Sequence, residues 1–148
     1  ELFKATMKSR VTIIDQISKF ILRQKSKKIR PILTFLSAKN CGEVTPSSYR
    51  AAMMIELLHT ATLVHDDVVD NADTRRGFAS VNAIWKNKVA VLMGDYFLSK
   101  GLLICIDAND FKILGVTSNA VRRMSEGELL QIQKSKQLDI DDFTKKLV

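Results

Sequence analysis

The sequence predicts an all-α protein, and three observations carry that expectation. Apolar residues recur at helical spacing along most of the 148 residues. Gly and Pro are scarce, at six and two, too few for the frequent turns of an all-β chain. Helix-start signals stand where the periodic stretches begin: Pro31, Thr45-Pro46 and Ser80. Hydrophobic residues make up 46% and charged residues 26%, which excludes a disordered or collagen-like chain.

The elements follow in order. Residues 2–22 place Phe3, Met7, Val11, Ile14, Ile17 and Ile21 on one helical face. Pro31 suits the start of a short second helix to about Lys39, with Arg30 at its N-cap. Cys41-Gly42-Glu43 is a connector, and Thr45-Pro46 opens a long helix reaching about Asn71. Residues 73–79, with Arg75-Arg76-Gly77, read as a loop. Ser80 caps one helix to about Ile106, and Asn109-Asp110 interrupts before another to about Gln137. Asp139 then caps a last helix still running at Val148. There is no 20–50-residue repeat. The chain is expected to be a single domain whose ends look cut.

Composition limits the setting. Apolar runs such as Val89–Met93 and Leu102–Ile106 are core-sized, so no membrane-spanning segment is expected. Cys41 and Cys105 are too few for a disulfide framework or a zinc site and are expected as free thiols. The net charge of +7 and pI near 9.5 point to an anionic partner. Arg23, Lys25, Lys27, Lys28 and Arg30 crowd five cations into eight residues. A nucleic-acid patch is the weaker reading, because no interleaved aromatics or known binding module accompany them.

Asp66, Asp67 and Asp70 carry the sharpest chemical signal. Asp66 and Asp70 lie one helical turn apart on a shared face, with Asp67 about 100° round the helix. Such crowded carboxylates repel one another, and a divalent cation removes the conflict. An all-oxygen set suits Mg²⁺ better than zinc. An exposed acidic face is the plainer alternative. Arg75 and Arg76 follow in the loop, where paired guanidinium groups suit a diphosphate. His59 lies seven residues before Asp66, about 10 Å along the axis, a spacing fit for two phosphate-bearing ligands side by side. An N-cap Arg opposes the helix dipole, and an anion gripped by Lys27 and Arg30 would relieve it.

The order K-x-x-R-P, H-T-A-T-L-V-H-D-D-V-V-D, T-R-R-G, V-L-M-G-D-Y and S-E-G-E-L-L-Q resembles the trans-isoprenyl diphosphate synthases (polyprenyl synthetases). It is most similar to the long-chain octaprenyl or solanesyl type. The resemblance implies an all-α helical bundle, here its N-terminal half, and a homodimer in the cytoplasm. It implies condensation of an allylic diphosphate with isopentenyl diphosphate to a long all-trans polyprenyl diphosphate, with Mg²⁺ as cofactor. Asp66, Asp67 and Asp70 would form the first aspartate-rich motif, with Asp66 and Asp70 the direct metal ligands. Arg75 would bind the allylic diphosphate, and Lys27, Arg30, His59 and Arg76 that of isopentenyl diphosphate. Glu128 and Gln131 match positions near the diphosphate, and Gly94-Asp95 belongs to the pattern. Ser26 and Lys28 depart from the usual G-K-R-x-R-P. Ala61 and Thr62, small where short-chain members place aromatic rings, would leave room for a long product. The family's K-T element and second aspartate-rich motif do not occur in these residues. The spacing of Asp139-Ile140-Asp141-Asp142 is wrong for that second motif. Alone, the chain is expected to be inactive; a non-catalytic helical subunit that keeps the binding residues is the alternative.

Overall fold

The computed structural model describes residues 6, 7, 9–24, 27–75 and 77–145, with 136–145 by backbone alone. Among them are six helices and one two-stranded ribbon: α1 (Thr12–Arg23), α2 (Ile29–Cys41), α3 (Pro46–Val69), β1 (Thr74–Arg75), β2 (Phe78–Ala79), α4 (Val81–Trp85), α5 (Asn87–Ile106) and α6 (Phe111–Lys145). The chain divides into two compact units, Glu1–Phe111 and Lys112–Val148.

The predicted helical class holds, with five corrections to its elements. Of the helix expected over 2–22, residues 2–5 and 8 lie outside the described residues, and α1 begins at Thr12, because Val11 is extended and its N–H donates to Ser9 Oγ at 3.2 Å. The expected register survives from there on: Ile17 is buried, with Ile14 and Ile21 packed around it. α2 begins at Ile29, and its N-cap is Lys28 in a left-handed conformation (φ 49°). Arg30 is therefore a residue of the first turn and not the cap, where its guanidinium was expected to face an anion. Pro31 still fits, because first-turn N–H groups have no intrahelical acceptor.

α3 starts as the sequence predicts. Thr45 Oγ1 accepts from the Ser48 N–H, Ser48 returns the bond to the Thr45 N–H, and Pro46 takes the first position. The helix ends at Val69 with Asp70 as C-cap, and Asn71 turns left-handed (φ 50°). The expected loop at 73–79 closes into an antiparallel ribbon pairing Thr74 with Ala79 and Arg75 with Phe78. Gly77, at φ 80°, supplies a conformation that other residues resist.

Ser80 caps as expected, accepting from the Ala83 N–H at 3.3 Å. The single helix expected after it is broken at Lys86 (φ 73°) into α4 and α5. Trp85 packs edge-on against Phe20 of α1, with ring centroids 5.2 Å apart; this tertiary contact leaves no mark on local periodicity. α6 runs unbroken through Asp139, which is not the cap of a separate helix. No Gly or Pro lies between Glu128 and Lys145 to stop it.

The core of the first unit forms where α3 and α5 lie together. Leu57, Ala61 and Val64 of α3 join Ala90, Met93 and Phe97 of α5, closed by Ile17 and Val81. A buried Phe97 or Leu57 contributes about 1.5–3 kcal/mol each. Gly94 and Gly101 let the two helices approach, facing His65 and Met54. α5 is long and apolar enough to cross a membrane, although the sequence was expected to hold no such segment. Its packing on α3 gives that apolar character a core role.

Candidate functional site

Glu56, His59, Thr60, Leu63 and Asp67 recur at helical spacing on one face of α3 and line an open cleft of about 640 Å³. Ile21 and Leu22 of α1 form an apolar wall. Lys28, ahead of α2, and Arg75, on the ribbon, bring cations to the same cleft.

The aspartates divide by direction. Asp66 and Asp70 are exposed, one turn apart at the carbonyl end of α3. That end of a helix adds negative potential, which favours a cation. Asp67 is only 3% exposed. Its Oδ1 accepts from Arg75 Nε at 2.6 Å, and the Ala72 N–H donates to its backbone carbonyl at 2.9 Å. Burial pushes the Asp67 carboxyl above its usual value, against the pull of Arg75. The side-chain bond ties the ribbon to α3 through one nitrogen of Arg75, and the terminal nitrogens of its guanidinium have donors to spare.

Asp66 and Asp70 suit a hard cation, with oxygen donors open to solvent. Among the described residues no group of three or more His, Cys, Asp or Glu side chains converges on one metal position. Two carboxylates, with the remaining positions left to water and phosphate oxygens, fit Mg²⁺, which dehydrates reluctantly and is bound that way.

The other expected site residues fall in different places. His59 lines the cleft. Lys27 and Arg30 are exposed and stand outside its lining. Arg76 and Ser26 lie outside the described residues. Glu128 and Gln131 are exposed on α6, in the second unit. Thr62 is half-buried and donates its hydroxyl to the His59 carbonyl at 2.9 Å. Ala61, 1% exposed, belongs to the core cluster and does not line this cleft.

The sequence did not single out Glu56, at the cleft, or His65, between α3 and α5. Glu56, 6% exposed, accepts from Lys28 Nζ at 3.0 Å. His65 Nε2 lies 3.2 Å from the Val91 carbonyl and 3.3 Å from Asp95 Oδ1. The only mark of Glu56 in the sequence is its place on the stripe that carries His59 and Asp67, which does not by itself reveal its burial or its partner. The His65 signal was the glycine of Gly94-Asp95, which gives the ring room.

A predominantly helical chain with a cation-lined cleft beside exposed, paired aspartates is suited to an anionic ligand held together with a divalent cation. The polyprenyl synthetase family model matches residues 11–147. The chain belongs to the polyprenyl synthetase family. It is 39% identical over 132 residues to the all-trans-nonaprenyl-diphosphate synthase (geranyl-diphosphate specific) of Rhodobacter capsulatus, covering 88% of this chain and 41% of that protein. It is 38% identical over 136 residues to the octaprenyl diphosphate synthase of Escherichia coli (strain K12), covering 92% and 42%. A crystal structure of a decaprenyl diphosphate synthase from Rhodobacter capsulatus superposes with a TM-score of 0.83 at 34% identity, covering 89% of this chain and 41% of that one. The polyprenyl synthase of Caulobacter crescentus CB15, crystallised with calcium and isoprenyl diphosphate, gives a TM-score of 0.82 at 34% identity, covering 88% and 40%. The chain thus spans about two fifths of the length of these relatives, somewhat less than the half expected.

Proposed function

We propose that the whole protein is a Mg²⁺-dependent trans-polyprenyl diphosphate synthase, and that this chain is the N-terminal portion of its single helical domain. It joins an allylic diphosphate to isopentenyl diphosphate and releases a long-chain polyprenyl diphosphate. The observation that carries this reading is the division of the aspartates, with Asp66 and Asp70 open beside a cleft that gathers His59, Lys28 and Arg75. The names of its relatives, and the calcium and isoprenyl diphosphate in the Caulobacter structure, support it. A homodimer and a cytoplasmic location belong to the same proposal.

Asp66 and Asp70 would hold Mg²⁺, which supplies positive charge to a leaving diphosphate. Arg75, oriented by Asp67, offers its terminal N–H groups to the same oxygens. Charge aimed where it develops favours breaking the allylic C–O bond. The double bond of isopentenyl diphosphate then forms the new C–C bond, and a proton leaves. Leu63 and the apolar wall of α1 keep water from the cleft while the carbon is electron-poor. His59, with Lys27, Arg30 and Arg76, serves the second diphosphate.

The test is turnover of farnesyl diphosphate with isopentenyl diphosphate and Mg²⁺ by the full-length protein, products resolved by chromatography after dephosphorylation. Asp66→Asn/Asp70→Asn should abolish turnover while leaving the melting temperature close to wild type, because both side chains are exposed. Retained turnover in that variant, or none in the wild type, removes the proposal.

A further inference from the structure

Glu56 and Asp67 are eleven residues apart on α3, about three helical turns, so they share a face and mark its two ends. Both acids are buried at the cleft, and each pairs with a cation brought by a different loop. Asp67 takes Arg75 from the ribbon. Glu56 takes Lys28 from the turn before α2. A buried acid beside a site for anions is unfavourable on charge alone, and its presence there needs another reason. Lys28 supplies one. It holds a left-handed backbone conformation (φ 49°), which is unfavourable for a non-Gly residue and persists only where surrounding contacts enforce it. The Lys28 Nζ–Glu56 Oε1 bond of 3.0 Å is such a contact. Lys27 precedes this strained residue and Arg30 follows it by two.

We infer that Glu56 is a positioning residue: through Lys28 it straps the turn before α2 to α3 and sets Lys27 and Arg30 for a diphosphate at that end of the cleft. The inference rests on the diphosphate reading above.

The sign of the effect separates positioning from plain electrostatics. Glu56→Gln removes a negative charge from the cleft, so Coulomb attraction alone predicts tighter binding of an anion. Loss of the strap predicts the opposite. Calorimetry on the full-length protein should use inorganic pyrophosphate in the presence of a chelator, then with Mg²⁺. Glu56→Gln should weaken metal-free pyrophosphate binding about tenfold, the equivalent of one charge-assisted hydrogen bond. Mg²⁺–pyrophosphate binding at Asp66 and Asp70, about 15 Å or more along the axis, should stay within about twofold. Lys28→Arg keeps the pair and should keep wild-type affinity. If Glu56→Gln does not fold, Lys28→Met/Glu56→Gln removes one charge of each sign and should show the same tenfold loss. Unchanged or tighter metal-free binding in Glu56→Gln or in Lys28→Met/Glu56→Gln, even with a lowered melting temperature, overturns the inference. A wild type that binds pyrophosphate in neither condition overturns the diphosphate reading itself, and this inference with it.

Discussion

Gly94 is the position at which the packing of α3 on α5 can be tested most directly. A Cβ added there would lie 2.2 Å from His65 Nε2, 2.5 Å from Cδ2 and 2.8 Å from Cε1. The obstacle is the Nε2 tip of the imidazole with its two neighbouring carbons, so the ring must swing aside to clear it. Helix propensity alone favours Ala over Gly by about 0.8–1.0 kcal/mol. Against this stand overpacking at about 1–3 kcal/mol and, if the ring swings out, loss of its bond to the Val91 carbonyl at about 1 kcal/mol. Gly94→Ala should therefore be destabilised by about 1–2 kcal/mol net, or roughly 3–8 °C in melting temperature. Urea denaturation with an unchanged m-value would measure it.

Two comparisons isolate the cause. Gly115 has nothing within 4 Å of an added Cβ, so Gly115→Ala should gain close to the full propensity term in α6. Gly101 faces the far end of the flexible Met54 side chain, with Sδ at 2.8 Å, and Gly101→Ala should be nearly neutral. In a His65→Ala background Gly94→Ala should become harmless or stabilising, a coupling of about 1–2 kcal/mol. Should Gly94→Ala cost the same with and without the imidazole, or stabilise the wild type, the contact does not hold these helices in register.

Two further outcomes are expected. Asp110 is held below its ordinary value of 3.8 by hydrogen bonds from Arg50 and Ser47, which link the start of α3 to the turn after α5. A carboxyl with a lowered folded pKa contributes stability above 3.8 and loses it as the pH falls through the folded value. The melting advantage of wild type over Asp110→Asn should therefore be full near neutrality and close only in acid below 3.8; a gap that persists there refutes the assignment. In the full-length protein, Ala61→Phe should shorten the polyprenyl product, and should also lower the melting temperature, because Ala61 is packed in the core. An unchanged product distribution removes its chain-length role.

Much of this was legible in the sequence because it depends on local rules. The Thr45-Pro46 start, the Ser80 cap and the face shared by Asp66 and Asp70 follow from capping chemistry and helix geometry. Other features depend on what returns to a helix from elsewhere. Lys86 breaks a helix without Gly or Pro, beside a Trp85–Phe20 contact made between distant segments. Glu56 looks in the sequence like one more charged residue on a long helix. Its burial becomes meaningful only when Lys28, 28 residues earlier, is seen against it. Likewise, periodicity places Asp67 round the helix from Asp66, yet cannot say that Arg75 folds back to meet it.

The division of the aspartates follows from that angle. Helical steps of about 100° put Asp66 and Asp70 on one outward line, and turn Asp67 toward the stripe that holds Glu56, His59 and Leu63. An acid facing outward can share a cation with water and phosphate oxygens. An acid facing inward must find a partner within the chain, because an unpaired buried carboxylate is too costly to keep. Arg75 is that partner, and binding it through Nε fixes the guanidinium plane. One short motif thereby serves two ends: its exposed pair leaves oxygen donors open for the proposed cation, and its buried member holds the arginine that follows. Exchanging Asp67 for a residue that cannot accept the Nε bond would leave both outward carboxylates in place and still loosen the ribbon, so an intact pair of outward aspartates is not by itself enough to build the site.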